Sequence, residues 1–402
     1  MSDARHRLAS PVSTSYPVGA AATVAELEAD PHSLLARLRA REPVSWLPAL
    51  GGWLVTRHDI AQHVMRDAAT FTVDDPRFST AQVIGPSMLS LDGMAHTRHR
   101  EPFARSFRPA DVRSRFATLV TTEADRLITA VAPAGAAELR QAIAGPLSVA
   151  VVAAALGLQD ADAAVIRSWY HSFVEAISEI TAGREAPEAA AAAFGMLRMS
   201  VEATLRRGPA SSLLAAAEAG AGGGGLTTAE VVSNAAVLMF GGIDTTEAMI
   251  TNAVAHLLGH PAQLTLVRAD PGLLPNAIEE SVRLEPAAAV IDRYATKGVR
   301  LAGAPIARGD LVRISIAGAN RDPGVFPDPD RFDVRRDNLR PHLAFARGPH
   351  FCFGAHVARL ETQAAVRGLL DQLPGLRIDP GKPSAPSGLV FRKPAELYVR
   401  WN

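Results

Sequence analysis

Cys352 is the only cysteine in the 402-residue sequence, and it lies in Phe345-Ala346-Arg347-Gly348-Pro349-His350-Phe351-Cys352-Phe353-Gly354. With no second cysteine, an intramolecular disulfide is excluded. Lone cysteines are commonly buried as small inert hydrophobes, but these neighbours argue for chemistry. Gly348 and Gly354 let the backbone turn tightly and approach a flat ligand where a Cβ would obstruct. A second candidate is Phe240-Gly241-Gly242-Ile243-Asp244-Thr245-Thr246. Adjacent glycines inside a helix cost about 1 kcal/mol each relative to alanine, so something must offset them. The carboxylate and hydroxyl that follow, Asp244 and Thr245, can relay protons and orient water.

The spacing Phe345, Gly348, His350, Cys352, Gly354 is that of a haem-thiolate loop, and on it the chain resembles the cytochrome P450 family. The resemblance covers nearly the whole chain and implies a mainly α fold, a helical body with small β-sheets near the amino-terminal third and the carboxyl end. It implies haem b (iron protoporphyrin IX), with Cys352 as the iron ligand. It places Gly241 in the oxygen-binding segment and Asp244 and Thr245 as its acid–alcohol pair. It carries the haem-propionate contacts onto His96, Arg100, Arg293 and His350; His96 and Arg100, four apart, would share one helical face. The family's Glu-Arg-Arg triad, structural rather than catalytic, falls on Glu280, Arg283 and Arg331. By position, the substrate pocket falls on Met88, Leu89, Val237, Phe240, Ala289, Ile291, Leu389 and Val390. Two departures stand out: Ala346 where a glycine is frequent, and Gly93-Met94-Ala95 where Pro-Pro-Glu is usual. His99, at a position that is usually apolar, has no assignment.

The elements that must carry these groups are legible in outline. A helix is expected over 31–41, then a hairpin from Val44-Ser45-Trp46-Leu47 and Trp53-Leu54-Val55-Thr56 through Gly51-Gly52. Residues 107–260 repeat Ala and Leu at helical spacing, and Thr227-Thr228-Ala229-Glu230 reads as a capping box opening a long helix at about 228. The run 222–225 of glycines reads as a flexible connection. A helix over 272–284 should end before Pro286, with strands at 299–301, 304–306 and 311–316. Residues 320–350 form a long coil, unusual enough to suggest a function. A helix over 355–372 and strand-like segments at 389–391 and 397–399 close the chain. The whole reads as a single domain, 1–402, with the loop at 70–90 as a mobile lid.

Lys plus Arg and Asp plus Glu both number 41, so the chain is formally neutral and no nucleic-acid footprint shows. Residues 1–30 carry Arg5, Arg7, Glu26, Glu28 and Asp30 without an apolar stretch, so no leader or membrane anchor is expected, and the protein reads as a cytoplasmic monomer. The pocket set is mostly apolar, which suits a hydrophobic small molecule held by shape. Oxygen activation requires two electrons, yet no flavin or nicotinamide fingerprint is present. A ferredoxin and its reductase are therefore the expected partners, with Arg105, Arg108, Arg113, Arg340 and Arg347 as a candidate patch. The activity implied is insertion of one atom of O2 by hydroxylation or epoxidation, in specialised metabolism. A peroxide-driven peroxygenase is the alternative enzyme, disfavoured by the retained acid–alcohol pair; a haem-based sensor or ligand carrier is the non-catalytic one.

Overall fold

Apolar residues repeating at helical spacing make helices the main elements of the computed structural model, which describes residues 15–158, 161–181, 184–207, 212–219 and 225–402. Arg5, Arg7 and the glycines at 222–224 lie outside the described residues. In chain order the main elements are α1 (His32–Arg41), β1 (Val44–Leu47), β2 (Gly52–Val55), α2 (His58–Arg66), β3 (Phe71–Thr72), α3 (Ser79–Ile84), α4 (Gly93–Ala104), α5 (Pro109–Val131), α6 (Gly145–Leu156), α7 (Ala163–Thr181), α8 (Glu188–Leu205), α9 (Thr228–Gly259), α10 (Leu274–Leu284), β4 (Val290–Ala295), β5 (Leu311–Ser315) and α11 (Ala355–Gln372). The chain divides into two compact units: Met1–Val73 with Ala262–Cys352 and Ala385–Ala395, and Asp74–Pro261 with Phe353–Ser384 and Glu396–Asn402.

The first unit is built on a five-stranded sheet of order β1-β2-β5-β4-β3. β1 and β2 form the expected hairpin in the register Val44↔Val55, β2 runs parallel to β5 with Trp53 opposite Val312, and β4 is antiparallel to β5. Strand residues alternate between faces. Trp53, Val55, Val312 and Ile314 accordingly pack with Ile60 and Val64 of α2, whereas Leu47 and Leu54 pack with Leu34 and Leu38 of α1. The expected strands at 299–301 and 304–306 pair as a small hairpin. β4 is a strand that sequence periodicity does not show. At the carboxyl end, 389–391 is not a strand; Pro386–Ser387 and Lys393–Pro394 pair on either side of it.

In the second unit α9 runs 32 residues, packed on α6 and α11, and α11 packs on α5. Its capping box forms as expected: Thr227 Oγ1 accepts from the Glu230 amide and the Glu230 carboxylate accepts from the Thr227 amide. That satisfies two of the orphan amides at the helix start. The segment around 70–90, expected as a loop, contains β3 and α3. No helix of the described residues is long and apolar enough to cross a membrane.

Candidate active site

The thiolate loop belongs to the first unit, where it closes on itself. The Cys352 amide donates to the Phe345 carbonyl at 2.9 Å, and a single 3-10 turn, Gly348–His350, makes the bend. Gly348 sits at φ +73°, and a Cβ added there would lie only 2.7 Å from the Met65 carbonyl oxygen of α2. Both the backbone conformation and the close approach therefore require glycine. Two residues earlier Ala346 holds φ +58°, a left-handed conformation that strains any residue with a Cβ. The substitution pair separates these roles. Gly348→Ala should destabilise the protein by about 2 kcal/mol or more and loosen the loop. Ala346→Gly should be neutral or slightly stabilising, because relief of about 1 kcal/mol of strain outweighs the added unfolded-state freedom. Thermal unfolding of the two variants checks the opposite signs.

The loop ends with Cys352 exposed, unlike an inert cysteine packed among apolar side chains. Phe345 is buried and His350 half-buried. Arg293, on β4, is 4% exposed and donates to the Asp292 carbonyl at 2.7 Å.

The coil that delivers this loop is fixed by a buried charge cluster in the same unit. Arg283 meets Glu280 through two parallel bonds of 2.7 and 2.9 Å, both side chains fully buried. Its remaining donors reach the carbonyls of Asn320 at 2.9 Å, Pro329 at 2.7 Å and Arg331 at 3.3 Å. The expected third member, Arg331, does not reach Glu280: its side chain is 63% exposed and lies 3.8 Å from Asp333. Arg336 takes that place, with Nε 3.0 Å from Glu280 Oε1 and its other nitrogens on the carbonyls of Pro327, Asp328 and Arg331. Arg331 thus contributes its backbone oxygen to the cluster rather than its charge. Two planar forks hold a segment with no ladder of its own, a task for which a lysine's point charge is unsuited.

The second unit carries the acid–alcohol pair on α9. The two glycines there differ in what surrounds them. A Cβ on Gly242 would come within 2.7 Å of Val152 on α6, whereas one on Gly241 would meet nothing within 4 Å. Gly242 therefore serves helix packing, and Gly241 leaves open space beside an otherwise buried helix. Thr245 is half-buried and donates to the Gly241 carbonyl at 2.5 Å, a back-bond that bends helices and leaves the hydroxyl oxygen able to accept.

Asp244 is 2% exposed, and three residues further Glu247 is fully buried beside Arg140, with Arg140 Nε 2.5 Å from Glu247 Oε1. Arg140 opens a π-helical turn, Arg140–Ala144. Burial works against its charge, but Glu247, with help from Tyr170 and Asp244, leaves the guanidinium pKa raised. Burial, then Glu247 and Asp244, push the Tyr170 phenol up. Neither Arg140 nor Glu247 is apparent as a functional residue in the sequence, since they lie 107 positions apart.

On α4 His96 is 5% exposed, while Arg100 stacks 5.0 Å from the Phe353 ring centroid. Gly354 caps the start of α11. The eight pocket candidates divide evenly: Met88, Leu89, Val237 and Phe240 lie in the second unit, and Ala289, Ile291, Leu389 and Val390 in the first. Ala289 and Leu389 line a small apolar pocket with Leu27, Leu35, Leu54 and Val290. Ile291 packs on the α2 side of the sheet, and the Val390 carbonyl accepts from the Ala289 amide at 2.8 Å.

The cytochrome P450 family model matches residues 196–374. The chain is 35% identical over 392 residues to cytochrome P450 monooxygenase PikC of Streptomyces venezuelae, across 94% of this chain and 92% of that protein. The chain belongs to the cytochrome P450 family. Mycinamicin IV hydroxylase/epoxidase of Micromonospora griseorubida is 33% identical, across 90% of this P450 and 94% of that one. A crystal structure of P450BioI in complex with hexadec-9Z-enoic acid ligated acyl carrier protein superimposes with a TM-score of 0.85 at 27% identity, covering 94% of this chain and 100% of that one. The protein is a P450 monooxygenase with the mainly helical fold of that family.

Proposed function

We propose that Cys352 ligates the iron of haem b and that the enzyme inserts one atom of O2 into a hydrophobic product of specialised metabolism, with electrons from a ferredoxin and its reductase. The observation that carries this is the loop over 345–352, which its own backbone bond and a glycine-only seat on α2 hold so that the single thiol is exposed. The residues present suit the cofactor. Arg293 and His350 in the first unit, and His96 and Arg100 in the second, supply cationic or donor groups for its propionates, and the open side of Gly241 can face a flat ring. Bound there, haem supplies oxygen activation, for which an anionic sulfur ligand is the electron-donating choice.

The chain's own residues then handle protons and substrate. Thr245, its hydrogen already given to Gly241, can accept a bond from water and orient it. Asp244, backed by the Arg140–Glu247 pair, supplies the carboxyl of the relay. Met88, Leu89, Val237 and Phe240 of the second unit are the apolar contacts offered to substrate. Such a set selects by shape rather than by charge. The relative named mycinamicin IV hydroxylase/epoxidase supports that reaction class. The exposed Arg105, Arg108, Arg113 and Arg340 are the cations offered to an acidic ferredoxin.

An optical titration tests the reading. The reduced carbon-monoxide complex should show the red-shifted band of thiolate ligation, and apolar compounds should shift the spin state; a histidine-type spectrum would overturn it. With a compound found in this way, Thr245→Ala should lower product formed per NAD(P)H consumed by about tenfold or more, short of the roughly hundredfold at which general acid–base effects begin. Unchanged coupling would remove Thr245 from the relay.

A further inference from the structure

We propose that His99 and Asn234 form a latch that positions the segment 85–90, just ahead of His96, against α9, and that the latch opens when His99 takes up a proton. Asn234 is fully buried on α9. Its Oδ1 accepts from the Met88 amide at 2.9 Å, while its Nδ2 donates to the Glu230 carbonyl at 2.8 Å and faces His99 Nδ1 at 3.0 Å. With oxygen and nitrogen each claimed by a backbone group, the side-chain amide has one orientation. His99 Nδ1 must then accept, so the neutral ring carries its hydrogen on Nε2, which lies 3.3 Å from Glu230 Oε1 and 3.3 Å from Arg98 Nη2. The segment beyond is a stiff turn, with the Ser90 amide on the Ser87 carbonyl and the Ser87 amide on Ser90 Oγ, both at 3.0 Å. Holding the Met88 amide therefore places the whole turn.

A second proton on His99 would sit on Nδ1 and point at the Asn234 nitrogen, donor against donor. Turning the amide over would give the ring its oxygen, but would set NH2 against the Met88 amide and oxygen against the Glu230 carbonyl. By either route Met88 loses its acceptor. The charged groups facing the ring are Glu230 on α9 and Arg98 on its own helix. Burial is the main influence lowering the His99 pKa; Glu230 opposes it and Arg98 adds to it. Glu230 itself is held down at about 2, chiefly by its hydrogen bond from Arg98. The open segment frees the ring to take its ordinary value, so falling pH favours opening.

Any effect on substrate rests on the proposed function, in which Met88 and Leu89 border the pocket, and the test keeps the two apart. Hydrogen exchange of the haem-loaded enzyme would be followed over 85–91 at about pH 7.5 and about pH 5.5, either side of the ordinary imidazole value. Rates are corrected for intrinsic exchange, with α11 as the control for global stability. Protection should fall about fivefold or more at the lower pH in the parent, and by a similar factor at both pH values in Asn234→Leu, the worth of one hydrogen bond. His99→Gln, which keeps an oxygen to accept from Asn234 but cannot titrate, should stay protected at both. Equal protection in the parent and Asn234→Leu, or an unchanged pH response in His99→Gln, overturns the latch. Affinity for an apolar azole, read from the haem spectrum, tests the pocket separately. A loosened segment with unchanged affinity removes Met88 and Leu89 from the pocket and leaves the latch standing.

Discussion

Arg336→Ala lowers stability by at least about 3 kcal/mol, whereas Arg331→Ala changes it by less than about 0.5 kcal/mol. The reason lies in what each guanidinium touches. Arg336 is 7% exposed, bonds the fully buried Glu280 carboxylate and serves three carbonyls of the coil. Truncating it leaves a buried carboxylate with one cation in place of two, and strips donors from carbonyls that no ladder can satisfy. Removing one partner of a buried pair typically costs about 3–5 kcal/mol for this reason. Arg331 points into solvent, and its carbonyl survives any side-chain change. A lysine at 336 should recover little, because it cannot serve Glu280 and the carbonyls in one plane. Thermal or denaturant unfolding of the three variants decides the matter, with a fall in Tm of roughly 3–4 °C or more expected for Arg336→Ala. Equal losses at 331 and 336 would return Arg331 to the triad.

This exchange of arginines shows where sequence reading stops. Glu280 and Arg283 are legible because they lie three apart on one helix, so spacing alone brings them together. The third member arrives from a coil without periodicity, and five residues of irregular chain decide which arginine turns inward. The same limit hides β4. Its sequence reads Val-Ile-Asp-Arg-Tyr-Ala, and adjacent charges argue against a strand inside a sheet. The charge is matched across the ladder instead, where Asp292 stands opposite Arg313 at 3.2 Å. At 389–391 the apolar run favours a strand, but Arg392 turns into the core, bonding Glu285 at 2.7 Å and the Gly388 carbonyl at 2.9 Å, and pulls the segment into a loop.

Local signals succeed where the answer is local. The capping box at Thr227, the hairpin through Gly51 and the helix over 355–372 depend on residues within a few positions of one another. Arg140 with Glu247, and His99 with Asn234, depend on helices distant in sequence meeting side by side. An unassigned histidine on a helix face is the one mark the second pair leaves in the sequence.

Cys352→Ser should produce the opposite profile from Arg336→Ala, with the chemistry lost and the fold kept. Residue 352 is exposed, and its structural contribution to the loop is an amide bond to Phe345 that serine retains. In the haem-free protein the stability change should therefore stay within about 0.5 kcal/mol, the range of surface substitutions. The chemistry has no such tolerance. A thiol ionises near pH 8.5 and is readily drawn down by a metal, while a serine hydroxyl stays protonated and is a poor electron donor. Turnover should fall below detection, and the reduced carbon-monoxide complex should lose its red-shifted band. Cys352→His sharpens the point, because neutral imidazole binds haem iron but pushes less electron density than a thiolate. If haem content is retained and turnover is lost in Cys352→His, the sulfur's electronic contribution is separated from simple anchoring. If either variant turns over at the parent rate, Cys352 is not the iron ligand.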